Sequence, residues 1–307
     1  MLKFIGRRLT SMIPLLILAS FISFLILYLI PGDPVLAIQG NRPASPETIN
    51  KIRAFYNLDQ PFGVRYFRYV TSVLHGDFGT SLITRRPVTR EIFEQLPSTL
   101  QLAASALVFG LVLGTAMGIA AAARRNSVFD SAIMSVAILG NSIPNLWLGL
   151  MLILIFAVQL QWLPVISQGT AGLVLPMIAL GGVIMAHFAR LTRSSLLEVL
   201  NQDFIRTARS KGLSERVIII RHGLRNALLP LVSFLGMQIG ELVTGSVVVE
   251  TVFARRGVGK LIVDSVLDKD IPVVQAIVLM TAVAYMLANL VVDVAYMLLD
   301  PRIRDAR

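Results

Sequence analysis

Long stretches without a charged side chain recur along this chain of 307 residues. A membrane-spanning helix needs about 20 mostly apolar residues, and six intervals meet that need. They are residues 9–30, part of 95–123, two intervals within 131–189, about 227–249, and 271–299. With 55% apolar and only 15% charged residues, the chain has too little polar surface to cover a water-soluble globule. The pattern predicts an all-α integral membrane protein with six transmembrane helices.

The Lys and Arg residues lie mostly on one side of the predicted spans. With the N-terminus inside, cytoplasmic segments hold sixteen of them and the short outer loops hold four. Positively charged loops tend to remain cytoplasmic, so both termini are predicted to be cytoplasmic. The first span follows Lys3, Arg7 and Arg8 and lacks a small-residue cleavage site. This favours a retained signal-anchor helix over a cleaved signal peptide.

Several classes of site are excluded by the composition. The chain has no cysteine, which excludes disulfides, thiolate metal sites and cysteine nucleophiles. The net charge of +10 comes largely from loops beside apolar spans, which favours a role in membrane orientation over nucleic-acid binding. Gly257-Val-Gly259-Lys260 lacks the spacing of a phosphate-binding loop. His187 has no His or carboxylate at metal-ligand spacing and is interpreted as an interfacial residue.

The chain is predicted to have three parts: a signal-anchor helix (1–30), an outer loop region (31–95) and a helical core (96–307). In the outer region, Ser45 and Pro46 mark a helix start, which predicts a helix over residues 46–56. Aromatic and aliphatic residues between Tyr66 and Leu74 predict a second, amphipathic helix along the membrane surface. We interpret this region as a structural lid over an outer mouth rather than as a substrate-recognition element.

Residues 203–230 form a basic polar island between two apolar spans, within a cytoplasmic loop over 195–228. Asp203 is predicted to cap a short helix, and Gly212 is predicted to end it. The helix would contain Arg206, Thr207, Ala208 and Lys211. Ser214 then begins a second short helix at a sharp angle. Small Ala208 and Gly212 would let a partner approach closely, and the basic side chains would pair with its acidic groups.

The alternative for this island is a basic loop that touches anionic lipid, and the loop alone favours neither interpretation. The order Arg206-Thr207-Ala208, Gly212, Leu229-Pro230 resembles the coupling-loop signature of ABC-importer permeases, in which Glu-Ala-Ala is followed by three residues, Gly and later Leu-Pro. The chain departs from that signature at its first two positions, Arg206 and Thr207, and its spacing from Gly212 to Pro230 is longer than in the shortest forms. Both departures resemble the dipeptide, oligopeptide and nickel branch of the family.

The resemblance to that branch covers nearly the whole chain. Its motifs are Pro31-Gly-Asp-Pro34, Asn57-Leu-Asp-Gln-Pro61, His75-Gly-Asp-Phe-Gly79, Gly245-Ser-Val-Val-Val-Glu-Thr-Val-Phe253 and Asp270-Ile-Pro-Val-Val-Gln275. Asn57 stands where Gly is expected, and Arg255-Arg256 where many relatives have Trp-Pro. The resemblance implies a type I ABC-importer permease in a bacterial cytoplasmic (inner) membrane, with coupling helices on the cytoplasmic side.

The same resemblance implies partners and a coupling surface. The expected partners are a second permease in a heterodimer, two ATPase subunits that bind ATP and Mg, an external substrate-binding protein, and membrane lipid. The chain itself would bind no cofactor, metal or nucleic acid. The residues expected to meet the ATPase are Asp203, Arg206, Thr207, Ala208, Lys211, Gly212 and Ser214. Di- or oligopeptides are the expected solutes, and nickel chelates or glutathione remain alternatives, as does an ion-coupled secondary transporter.

Polar residues inside the predicted spans are candidates for the translocation path, because such groups are costly in lipid. Gln238, Glu241 and Gly245 recur at helical spacing in the fifth span. The alternative for Glu241 is a structural hydrogen bond to a neighbouring helix. Asn141 and Ser142 precede Pro144 in the third span, where a structural kink is favoured over a substrate site. A four-residue repeat predicts close helix packing and comprises Gly110, Gly114 and Gly118.

Overall fold

The computed structural model describes residues 2–29, 47, 59–165 and 171–299. Side chains at 2–5, 27, 229, 233, 239, 241, 243, 292 and 295–299 fall outside that description. The described ranges are almost entirely helical. In chain order the helices are α1 (Leu2–Leu29), α2 (Phe62–Leu74), α3 (Val88–Ala123), α4 (Val128–Ser142), α5 (Asn145–Leu152), α6 (Ala171–Leu200), α7 (Asp203–Ser210), α8 (Glu215–Val217), α9 (Arg225–Val252), α10 (Val258–Leu267) and α11 (Ile271–Leu299). Two π-helical segments, Ile153–Gln159 and Ile218–Leu224, follow α5 and α8.

The helix lengths agree with six membrane spans. Four described helices contain a stretch long and apolar enough to cross a bilayer: Gly6–Ile26, Val88–Ala123, Ala171–Leu200 and Ile271–Val291. Two bent pairs reach that length only together. They are Val128–Ser142 with Asn145–Gln159, bent by 106°, and Glu215–Leu228 with Pro230–Gln238, bent by 46°. Counting each bent pair as one span gives six, as predicted.

The sharp bend in the third span has a local cause. Ile143 follows the last residue of α4 and has extended backbone (φ −87°, ψ 122°), and Pro144 is the N-cap of α5. A proline ring disfavours the helical conformation of the residue before it, and proline has no N–H to continue the ladder. The predicted interruption of this span is therefore confirmed.

The chain divides into two compact units, and the larger comprises Ser98–Arg255 with Val291–Arg307. Its core lies around α6, whose buried side chains pack with those of α3, α5 and α9. A Cβ added to Gly114 would lie 2.5 Å from the carbonyl oxygen of Met185, and one added to Gly118 would lie 2.5 Å from the Cβ of Thr192. Only glycine permits these approaches, so the predicted packing repeat on α3 is confirmed.

An ion pair joins α4 to α6 at the ends that the sequence places in the cytoplasm. Arg193 donates from Nε to Asp130 Oδ1 and from Nη2 to Asp130 Oδ2, both at 2.6 Å. The backbone N–H of Asn126 also donates to Asp130, whose own N–H donates to the hydroxyl of Ser127. Bidentate pairs of this kind fix geometry as well as adding energy, so the start of α4 is held at one position along α6.

The smaller unit comprises Met1–Pro97 with Arg256–Leu290. In it α2 packs on α1 through aromatic rings, and the Phe24 ring lies 5.3 Å from Phe62 and 5.5 Å from Tyr66. The loop before α3 is tied to the start of α11, since Asp270 accepts hydrogen bonds from the Ser81 hydroxyl and the Leu82 N–H. Asp270 is the first residue of the Asp270–Gln275 motif, and Ser81 follows shortly after the His75–Gly79 motif. These hydrogen bonds therefore connect two motifs of the family resemblance.

Two predictions for the outer region are tested by these elements. The amphipathic helix near Tyr66 is confirmed as α2, and its place on the membrane surface stays a prediction. The helix over 46–56 falls, apart from residue 47, outside the described residues. The boundary at residue 95 does not mark a helix start, because α3 begins at Val88. The first turns of α3 contain charged residues that form ion pairs, such as Arg90 with Glu94 at 2.9 Å. Because these charges are paired, the helix begins before the charge-free interval.

Candidate coupling site and polar path

The short helix α7 begins one residue earlier than it would if Asp203 were its N-cap. Gln202 is the N-cap, with extended backbone and no side-chain hydrogen bond, and Asp203 is the first helical residue. The prediction that Asp203 caps the helix is therefore wrong. Its carboxylate stands 95% exposed in the first turn, where a negative charge interacts favourably with the helix dipole.

The end of α7 is a glycine-terminated turn. Gly212 has φ +76°, a conformation that other residues adopt only at a cost. Its N–H donates to the Arg209 carbonyl at 2.9 Å, and the next N–H, of Leu213, donates to the Ala208 carbonyl at 3.4 Å. This pair of bonds is the Schellman pattern, so the stop at Gly212 is confirmed. Lys211 is the C-cap, not a member of the helix as predicted.

The inner face of α7 is part of the protein's own core. Ile205 and Ala208 are buried, at 0% and 8% exposure. They belong to one hydrophobic cluster with Leu196 at the end of α6 and Ile218 in the second π-helical segment. The small size of Ala208 therefore serves packing inside the chain. The prediction that it offers close approach to a partner is wrong, because helical periodicity turns it inward.

The outer face of α7 is left to solvent. Phe204 is 41% exposed, and the side chain of Arg206 is 74% exposed, with Asp203 as a partner at 3.4 Å. Thr207 and Lys211 are exposed as well, and no heavy atom lies within 4 Å of a Cβ added to Gly212. This surface combines an aromatic ring, two basic side chains and an open glycine turn, so it is suited to contact with another protein.

A pair of charged residues that the sequence reasoning missed crosses the glycine turn. Arg209 donates from Nε to Glu215 Oε1 at 2.7 Å and from Nη2 to Glu215 Oε2 at 3.2 Å. The hydrogen bond to Glu215 raises the pKa of Arg209. Opposite charges on either side of the predicted glycine stop were the available signal. The pair joins the end of α7 to the start of α8, so it limits how the turn can open.

The second short helix is not a separate element. Ser214 is the N-cap of α8 and makes no side-chain cap bond. From Glu215 the chain runs through α8 and the π-helical segment directly into α9. Gly223 lies within that segment, where an added Cβ would meet Leu196 Cδ1 at 2.8 Å. The predicted pair of short helices is therefore one short helix followed by the N-terminal extension of the fifth span.

Gln238 is the predicted path residue that lies in a polar interior site. It is 1% exposed, and its Nε2 lies 3.4 Å from Nδ1 of His187. His187 is half-buried, and its ring meets Phe234 edge-on at 5.5 Å, so its contacts are internal rather than only interfacial. Gln238 also lines a cavity with Asn145, the first residue of α5 after the break. The third and fifth spans thus place carboxamides at one site.

None of the other predicted path residues that the structure describes in full lines this cavity. Asn141 and Ser142 are exposed at the end of α4, where the Ser142 hydroxyl donates to the Ile138 carbonyl. Gly245 lies against α6 and beside the cavity lining, since an added Cβ would be 2.9 Å from Leu180 Cδ1 and 3.6 Å from Asn145 Nδ2. Glu241 is helical, and its side chain lies outside the described set. Among the path residues whose side chains the structure describes, Gln238 lines the cavity, and the path assignments stay predictions.

The sequence reasoning also missed a buried acid near the C-terminal end of α9. Glu250 is 0% exposed, and the Arg255 N–H donates to its backbone carbonyl at 2.8 Å. Arg255 Nη2 donates to Gln101 Oε1 at 2.9 Å, and burial lowers the pKa of Arg255 while the charge of Glu250 opposes that shift. Among the described residues, no group of three or more His, Asp or Glu side chains is placed to hold a metal ion.

Comparisons with known proteins decide the family. The model of the binding-protein-dependent transport system inner membrane component matches residues 114–305, and the model of the N-terminal part of such components matches residues 1–103. The chain belongs to this family. It is therefore an ABC-importer permease subunit, and the ion-coupled secondary transporter is set aside. A multi-pass location in the inner membrane follows from the family and the apolar helices.

Relatives in this permease family are similar over their full length. The chain is 44% identical over 305 residues to the glutathione transport system permease protein GsiC of Salmonella paratyphi A, covering 99% of each chain. It is 42% identical to the protein of that name from Escherichia coli strain K12, again over 99% of each. A solved structure of the MetNI methionine ABC transporter in an inward-facing conformation matches with a TM-score of 0.59 and 19% identity. That match covers 69% of this chain and 97% of the other, and it supports the fold.

Proposed function

We propose that this permease subunit carries glutathione, or short peptides closely related to it, in an ATP-driven importer. The observation that carries the proposal is the 44% identity over 99% of both chains with a permease named for glutathione transport. Glutathione is itself a short peptide. The proposal therefore narrows the peptide prediction made from the motifs and leaves nickel chelates as the less favoured solutes.

The proposed complex contains this chain, a second and similar permease, two ATPase subunits and an external binding protein. ATP and Mg would be held by the ATPase subunits, because this chain has no phosphate-binding loop in its sequence. Both termini would lie in the cytoplasm. The binding protein would deliver solute at the outer side, and ATP binding would select one of two conformations of the permease pair.

The proposed coupling route starts at the exposed face of α7. A push on Phe204 or Arg206 would be transmitted through the opposite face, where Ile205 and Ala208 pack on Leu196. The same cluster contains Ile218, which leads into α9. Since packed interiors transmit displacement instead of absorbing it, motion of α7 would reach the ends of α6 and α9 together. The residues proposed to meet the ATPase are Asp203, Arg206, Thr207, Lys211, Gly212 and Ser214, with Phe204 added by its exposure.

The test of the proposed solute is uptake by the reconstituted complex. The chain would be co-expressed with its genomic neighbours and placed in proteoliposomes with ATP inside and binding protein outside. Labelled glutathione, a dipeptide, a longer peptide and a nickel chelate would be offered in parallel. We expect ATP-dependent uptake of glutathione with the highest kcat/KM. Uptake of a nickel chelate in preference to glutathione would refute the proposal that glutathione is the solute. Uptake without any ATPase would refute the proposed coupling route.

A further inference from the structure

A small cavity lies where the break in the third span meets α6 and α9. Its volume is about 40 Å³. The lining is aliphatic apart from two carboxamides and consists of Asn145, Leu180, Val183, Ile184, Gln238 and Leu242. Neither the coupling route nor the proposed solute explains why two amide side chains meet in an apolar interior.

Each carboxamide contributes one oxygen that the protein itself does not satisfy. Asn145 Oδ1 and Gln238 Oε1 are both buried, and neither has a hydrogen-bond partner within the described part of the chain. The Gln238 nitrogen lies 3.4 Å from Nδ1 of His187, so the oxygen is the unpartnered end of this amide. Burial of an amide oxygen without a hydrogen bond costs free energy. Two such atoms at one cavity therefore indicate a group that donates to them.

The size of the cavity limits that group. A water molecule needs about 10 to 15 Å³ of such volume and two to four polar partners. A volume of about 40 Å³ admits one or two water-sized groups and excludes a whole peptide. A single occupant that satisfies both oxygens must therefore be small and must carry at least two donor hydrogens.

We propose that this cavity is a binding site for one small hydrogen-bond donor that bridges Asn145 Oδ1 and Gln238 Oε1. A water molecule and the ammonium group of a transported solute have this chemistry in common. A bridging donor would tie the first turn of α5 to α9. It would also fix the angle at the break beside Pro144, where the helix ladder is interrupted.

The first test is a double-mutant cycle on the stability of the assembled transporter in lipid nanodiscs. The variants are Gln238→Met, Asn145→Leu and the two combined, with Thr251→Val as the control. Thr251 is exposed on α9, and its hydroxyl is satisfied by the Val247 carbonyl. If one donor serves both amides, each single variant should lower Tm by about 2 to 4 °C. The double variant should then lower Tm no further than the worse single variant.

The opposite result has a clear physical meaning. If the cavity is empty, both oxygens are unpaired, and replacing either amide by an apolar side chain should raise Tm. Increases that add in the double variant would overturn the proposal. If Asn145→Leu does not assemble, a high-resolution cryo-EM map of the wild-type complex decides in its place. Density bridging the two oxygens supports the site, and an empty cavity overturns it.

A transport measurement distinguishes a water molecule from the solute ammonium group as the donor. Of the experiments on this cavity, this measurement alone rests on the proposed function. Glutathione and its N-acetylated form would be compared in the wild type and in Gln238→Met. If the solute ammonium is the donor, the wild type should favour the free amine by at least about tenfold in KM, as for loss of one well-made charged hydrogen bond. That preference should vanish in Gln238→Met. If water is the donor, the ratio is the same in both proteins. If the complex transports no glutathione, the proposed function is refuted. The double-mutant cycle on stability still tests the proposed binding site in that case.

Discussion

The ion pair across the glycine turn gives the sharpest prediction about coupling. We expect Arg209→Gln to uncouple ATP hydrolysis from uptake without unfolding the permease. Arg209 and Glu215 are 44% and 60% exposed, and exposed pairs contribute at most about 1 kcal/mol to stability. The Schellman bonds at Gly212 and the buried contacts of Ile205 remain in the variant. The fold therefore survives, and only the set of turn angles that α7 can adopt becomes wider.

The magnitude follows from the same figure. A loss of about 1 kcal/mol in the preference for one turn geometry changes the population of that geometry about fivefold. If only that geometry transmits ATPase closure, the number of glutathione molecules imported per ATP hydrolysed should fall by up to about fivefold. Basal ATP hydrolysis and the Tm of the complex should change little.

The assay measures uptake and phosphate release in the same proteoliposomes. The charge-reversed double variant, Arg209→Glu with Glu215→Arg, restores the pair and should recover most of the coupling ratio. Arg90→Gln is the matched control, since it breaks an exposed pair with Glu94 far from the coupling loop in sequence. An unchanged ratio in Arg209→Gln would refute the reasoning, as would a double variant no better than either single one.

Four further predictions follow from particular contacts. Gly212→Ala should cost about 1 kcal/mol through its positive φ alone, because no atom crowds the site, and should lower the yield of complex recovered by pull-down of the ATPase. Gly118→Val should cost about 1 to 3 kcal/mol of stability through overpacking, and should lower the Tm accordingly, since its Cβ would strike Thr192. Burial raises the pKa of Tyr69 to about 12, so folding stability should fall as pH rises from 10 towards 12, where only the unfolded form ionises. Tyr69→Phe should reduce that alkaline loss without lowering Tm at neutral pH, because the Tyr69 hydroxyl has no hydrogen-bond partner among the described residues. Tyr66→Phe, whose hydroxyl shares a hydrogen bond with a serine of α1, should cost about 1 kcal/mol.

Some features of α7 could be predicted from the sequence and others could not. The glycine stop was readable because a positive φ leaves glycine as the ordinary choice. The first residue of α7 could not be read from the sequence, because Gln202 and Asp203 are both polar. Which of them becomes the N-cap depends on where the preceding helix α6 ends. The inward direction of Ala208 was equally hidden, since it depends on the rotation of α7 against Leu196.

The sequence by itself determined the class, the number of spans, the break at Pro144 and the close packing along the glycines of α3. Each of these follows from local chemistry: the length of a mostly apolar stretch, a missing N–H, or a missing side chain. Only the tertiary structure decided that Asn145 and Gln238 meet at one cavity and that Arg209 reaches Glu215. Both pairings depend on the angles between packed helices and across a turn, which many side-chain contacts fix together and which no single stretch of sequence contains.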